Sequence, residues 1–152
     1  MIWPGSKRLL ESQFLADEAA TIAAAAALAP YLRTGQTLLL QGDLGAGKST
    51  FARALIRALP LADGSLAPDE IVPSPTFTLL QTYDRALGPV YHFDLYRLSD
   101  PEEVWELGWE EVQAEGLSLI EWPQRLGPLR PKGALSLSLS HQGEGRWLEV
   151  GG

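Results

Sequence analysis

The run Gly42-Asp43-Leu44-Gly45-Ala46-Gly47-Lys48-Ser49-Thr50 constrains this chain more than any other stretch. Gly42, Gly47, Lys48 and Ser49 fill the four fixed places of the P-loop pattern G-x-x-x-x-G-K-[ST]. A phosphate chain needs several donors converging at close range. Glycines let the backbone turn tightly and bring bare N–H groups near the oxygens. Lysine adds a positive charge with long reach, and the serine hydroxyl is a hard oxygen ligand for Mg²⁺. A turn that only joined a strand to a helix would have no need of the Lys-Ser pair.

The flanks give this loop its required setting. Thr37-Leu38-Leu39-Leu40-Gln41 is a short apolar run and reads as a buried strand. Beyond the loop, Phe51, Leu55, Ala58 and Leu59 recur at helical spacing, with Arg53 and Arg57 on another face. Strand, glycine loop and helix in that order place a helix N-terminus against the phosphates. The fold class expected is therefore α/β: a three-layer P-loop NTPase-type fold. Its central sheet is mostly parallel, flanked by helices, with antiparallel hairpins at the edge.

The remaining elements follow from local signals. Residues 1–6 read as a loose end and 8–15 as a strand. Asp17 reads as the N-cap of an alanine-rich helix running to about Arg33, kinked by Pro30 and ended by Gly35. Its acidic lead-in, Glu11, Asp17 and Glu18, is wrong for a signal peptide, and its apolar run is too short to span a membrane. Residues 60–69 are a surface loop. Ile71-Val72 looks like a short strand, and 77–83 and 90–95 like a hairpin around a turn at 84–89. Asp100-Pro101-Glu102-Glu103 starts a helix that breaks at Gly108 and resumes to about Glu115. Residues 117–122 form an apolar strand ending in an acid. Then come a loop to about 133, a strictly alternating strand at 134–140 and a final hairpin. No repeat or linker interrupts the chain, so a single domain over 1–152 is expected.

Composition narrows the function. The net charge of −7 argues against a chain that grips nucleic acid by neutralising phosphates. The absence of cysteine rules out disulfides, thiol catalysis and cysteine metal sites, and agrees with a cytoplasmic location. With only two histidines, a zinc site has little support.

Hydrolysis needs more than a phosphate cradle: the metal must be held from a second side and a water aimed at the γ-phosphate. An acid at the carboxyl end of a neighbouring apolar strand is the usual partner. Two acids fit, Glu121 and Asp94. Ser74-Pro75-Thr76-Phe77 is a stiffened loop with two hydroxyls that could lie over the γ-phosphate, or a plain lead-in to a strand. Arg97 could stabilise charge on a leaving phosphate or pair with Asp94. His92 and Trp122 read most simply as structural.

Four segments in order, GDLGAGKST (42–50), SPTF (74–77), YHFDLYRL (91–98) and LIEW (119–122), together resemble the TsaE family, also called YjeE. These are small P-loop ATPases of the bacterial pathway that makes threonylcarbamoyladenosine on tRNA. The resemblance covers residues 11–152. The P-loop is shared by many families, and the other three segments are far more specific. The resemblance implies that Asp43, Leu44, Gly45, Ala46, Gly47 and Lys48 wrap the phosphates of ATP or ADP, with Thr50 beside them. Ser49, where the family often has threonine, would bind Mg²⁺, and Glu121 would be the second metal-side acid. Asp94 would be needed for turnover, and Thr76 would belong to a mobile loop above the γ-phosphate. Lys48 would serve in both binding and catalysis. Thr21 would approach the adenine side. The family's partners are the TsaD and TsaB proteins, whose complex transfers threonylcarbamoyl to adenosine 37 of tRNAs reading codons that begin with A. That implies contact with tRNA only indirectly and none with membrane. A small-molecule kinase on the same fold, or a nucleotide-dependent binding module without significant turnover, are the alternatives; Arg125 and Arg130 are the only lid-like arginines a kinase would have.

Overall fold

The computed structural model describes residues 11–151; the expected loose end at 1–6 and the start of the first strand at 8–10 lie outside the described residues. Its centre is a seven-stranded sheet in the order β1-β7-β6-β2-β5-β4-β3. The strands are β1 (Gln13–Leu15), β2 (Thr37–Gln41), β3 (Leu80–Arg85), β4 (Gly88–Asp94), β5 (Leu117–Glu121), β6 (Leu135–Gln142) and β7 (Gly145–Gly151). The inner four, β6, β2, β5 and β4, run parallel, while β3 and β7 add to them as antiparallel hairpins. This is the expected parallel centre with antiparallel edges.

Two-residue alternation gives the sheet its two apolar faces. Leu38, Leu40, Leu117 and Leu119 pack with α1 (Glu18–Leu28) and α2 (Lys48–Ala58) in one core cluster. Leu39, Phe93 and Ile120 point the other way, to Val104, Val112 of α3 (Trp109–Glu115) and Leu126. Phe93 meets Trp109 edge to face, with ring centroids 5.4 Å apart. α2 buries Phe51, Ala52, Leu55 and Ile56, and α1 offers the small side chains Ala24 and Ala25. Small residues on that face let the two helices share one side of the sheet. Among the described residues no helix is long and apolar enough to cross a membrane.

Several local expectations are corrected. α1 stops at Leu28 and tightens to a 3₁₀ turn over Ala29–Tyr31, because Pro30 has no N–H to continue the helix. Gly35 serves the following turn instead of ending the helix. Ile71-Val72 is not a strand; it precedes Pro73, and no described strand pairs with it. Residues 77–79 do not extend β3: the Leu79 amide donates to the Pro75 carbonyl at 2.7 Å and closes a turn. The β3–β4 ladder runs further than expected, to Arg85↔Gly88, leaving only Ala86 and Leu87 to turn. The helical segment opened by Asp100 and Pro101 is 3₁₀ (Pro101–Leu107), and it breaks at Gly108 and resumes as α3 to Glu115, as expected. Its capping box forms between Asp100 and Glu103.

Candidate active site

The chain passes from β2 through the loop at 42–47 into α2, whose N-terminus no side chain caps. The first amides of a helix have no partner within it, so this end is an open set of donors for an anion. Within the loop, the Ala46 amide donates to the Asp43 carbonyl at 3.1 Å, and the Ala46 side chain is fully buried. Lys48 folds back over the loop. Its Nζ donates to the carbonyls of Gly42 at 2.5 Å and Asp43 at 2.8 Å. The same ammonium lies 4.3 Å from the centre of the Trp122 ring, a cation–π contact. Burial holds the Lys48 ammonium below the ordinary lysine value of 10.5, and the charges of Glu121, Asp94 and Asp43 oppose that shift.

The acids arrive from the sheet. Register places Asp94 on β4 directly beside Glu121 on β5, and Glu121 beside Leu40 on β2. All three strands run parallel, so both carboxylates stand at carboxyl ends, where the loop begins. Ser49 Oγ donates to Glu121 Oε1 at 2.8 Å, and Glu121 Oε2 meets His92 Nε2 at 2.6 Å. Asp94 accepts the Thr76 hydroxyl on Oδ2 and the Tyr96 amide on Oδ1, each at 3.0 Å. Thr76 is tied in turn to the Ser74 hydroxyl at 2.8 Å. Trp122 follows Glu121 with φ of 60°, a left-handed conformation uncommon for a bulky residue and a local strain at the site.

These groups surround a cleft of about 230 Å³ lined by Lys48, Ser49, Thr76, Asp94, Glu121 and Trp122. Leu44 and Thr50 also line it, Leu44 being largely exposed. A second hollow of about 180 Å³ continues past Gly45, Gly47 and Thr50 to Thr21, Asp17 and Arg146. The structure thus brings together Lys48, Ser49, Thr76, Asp94 and Glu121, and sets Thr21 in the adjoining hollow. Asp43 contributes its carbonyl to Lys48, while the Ala46 side chain belongs to the core.

The donors suit magnesium. Ser49 gives its proton to Glu121, which leaves oxygen lone pairs for a hard cation, and carboxylate oxygens stand within the same cleft. Among the described residues no three His, Cys, Asp or Glu side chains form a cage. The set fits an ion that shares its coordination with phosphate oxygens and water.

Three placements escaped sequence reasoning. Arg97 does not pair with Asp94; its guanidinium lies 4.4 Å from the centre of the exposed Phe77 ring. Asp94 is instead satisfied by Thr76 and Tyr96. Arg146 reaches the loop from β7 and donates to the Gly45 carbonyl at 3.1 Å, and no local pattern announces it. His92 is fully buried against Glu121.

Comparison with known proteins adds an independent line. Residues 15–148 match the family model described as threonylcarbamoyl adenosine biosynthesis protein TsaE. A curated tRNA threonylcarbamoyladenosine biosynthesis protein TsaE of Rickettsia bellii is 41% identical over 133 residues, covering 87% of this chain and 88% of that protein. The Bacillus subtilis protein of the same name is 34% identical, covering 82% and 73%. Among solved structures, that of Bacillus subtilis YdiB superposes with a TM-score of 0.73 at 28% identity, over 91% of this chain and 82% of that one.

Proposed function

This chain belongs to the TsaE family of threonylcarbamoyl adenosine biosynthesis proteins, and on that premise we propose that it is a Mg²⁺-dependent ATPase acting in tRNA threonylcarbamoyladenosine formation. One observation carries the reading: Ser49 at the start of α2 donates its hydroxyl proton to Glu121 at the end of β5, and both line the cleft that also holds Lys48. A loop that only turned the chain would not need a strand-end acid aimed at that hydroxyl.

Each residue then has a task. The amides of the P-loop and of the first turn of α2 hold the phosphates of ATP or ADP. Lys48 exchanges the Gly42 and Asp43 carbonyls for phosphate oxygens. Ser49 and Glu121 would hold Mg²⁺, whose charge would offset that of the phosphates. Asp94 orients the attacking water, and Thr76, bonded to Asp94, reports whether the γ-phosphate side is engaged. Thr21 and Arg146 border the nucleoside side.

The partners are the TsaD and TsaB proteins, with tRNA met only through them. Nucleotide can control such docking only if it binds the docked and free states with different affinity. The net charge of −7 suits a protein partner better than naked tRNA. A role in tRNA modification fits a cytoplasmic location, away from membrane.

The test is ATP hydrolysis with and without the purified partner pair, under multiple- and single-turnover conditions. Phosphate release that rises with the pair and vanishes in Lys48→Ala supports the reading. Wild-type-like hydrolysis by Lys48→Ala would remove the P-loop from the mechanism. Tight ATP binding without turnover would make the chain a binding module, and a phosphorylated metabolite in a mixed pool would make it a kinase.

A further inference from the structure

His92 has no part in the scheme above, yet it is the most enclosed polar side chain near it. Its exposure is 0%, and that of Glu121 is 1%. Parallel register sets His92 opposite Leu119 and Asp94 opposite Glu121. His92 and Glu121 are therefore diagonal neighbours on one face of the sheet, the face that α2 covers. The ring nitrogen Nε2 lies 2.6 Å from Glu121 Oε2, while the other carboxylate oxygen takes the Ser49 hydroxyl. Nδ1 is buried without a hydrogen-bond partner. The proton belongs on Nε2, where an acceptor stands.

A histidine serving only to fill the core would not need this arrangement, since an apolar residue would leave no orphan nitrogen. We infer that His92 is a positioning residue for metal binding: its Nε2–H fixes one oxygen of Glu121 so that the other stays turned to Ser49. The inference rests on the proposed Mg²⁺ site and adds to it a second layer. A carboxylate free to rotate about its last bond would give the serine and the cation a shifting acceptor. Hydrogen-bond partners of metal-site ligands are commonly worth ten- to a hundredfold in metal affinity.

Mn²⁺ titration followed by electron paramagnetic resonance, on protein saturated with ADP, tests this without turnover. His92→Leu removes the donor and keeps an apolar side chain of fair size. The expected result is Mn²⁺ affinity lowered about ten- to a hundredfold, with metal-free ADP affinity unchanged. His92→Gln, which offers an amide N–H, recovers most of the loss. Equal Mn²⁺ affinity in His92→Leu and the parent overturns the proposal. Parent protein that binds no Mn²⁺ beside ADP overturns the site itself, and the inference with it. If His92→Leu does not fold, ring ¹⁵N spectra of the parent decide, because the chain has only one other histidine, the exposed His141. A proton on Nε2 whose resonance shifts in Glu121→Gln supports the proposal; a ring protonated on Nδ1 alone overturns it.

Discussion

Replacing Gly42 with alanine separates two demands that one glycine meets. Its φ is +146°, a conformation side chains rarely adopt. A Cβ placed there would overlap the Leu139 carbonyl oxygen and lie 3.3 Å from Ala46 Cβ. Leu139 sits in β6, hydrogen-bonded through its ladder to β7, and the preceding residue Ser138 pairs with Gln41 of β2. The carbonyl cannot retreat without opening a ladder. A non-glycine residue in such a backbone region costs about 1–3 kcal/mol, and forced overlap in a dense core costs a further 1–3 kcal/mol or so. Gly42→Ala should therefore lose about 2–6 kcal/mol of stability. For a domain of this size that is a drop in Tm of roughly 4–24 °C. Gly45→Ala is the control: its φ is +77°, but nothing lies within 4 Å of the added atom. It should lose only about 1–2 kcal/mol. Urea unfolding followed by circular dichroism, with thermal melts, measures both. If the two variants melt within 3 °C of each other (roughly 1 kcal/mol), the close approach of β6 is not what the first glycine serves.

Further outcomes follow from the same geometry. Burial depresses the Lys48 pKa, so the folded chain gives up that proton at lower pH than the unfolded chain; this group's penalty on folding fades as pH rises toward the ordinary lysine value. Phosphates favour the charged form, so ADP affinity should fall as pH rises through the lowered pKa, with proton uptake on binding seen by calorimetry in two buffers and lost in Lys48→Met. Asp94→Ala and Glu121→Ala should each slow ATP turnover about 10²-fold or more while changing nucleotide affinity less; unchanged binding and unchanged hydrolysis in both would strip them of their roles. Asp17 accepts the Ala20 amide at the start of α1 at 2.9 Å, so Asp17→Ala should cost about 1 kcal/mol in a thermal melt, and no change would mean the cap is idle.

The sequence alone determined the elements that local chemistry dictates. The glycine loop, the apolar strands on either side of the site and the amphipathic helix after Lys48 are each written in a short window, where residue type and spacing decide the backbone. Asp94 and Glu121 were legible as strand-end acids for the same reason. What tertiary structure alone decided is which of these ends meet. Strand order and register bring Glu121 to Ser49 across 72 residues and to His92 across 29. They also carry Arg146 to the loop and the Leu139 carbonyl to Gly42. The turn at 77–79 belongs here too: Thr76, ahead of β3, bonds Asp94 of β4, and a β-prone segment gives up its ladder there. Periodicity says which face a side chain takes; only the alignment of neighbouring strands says what it will find on that face.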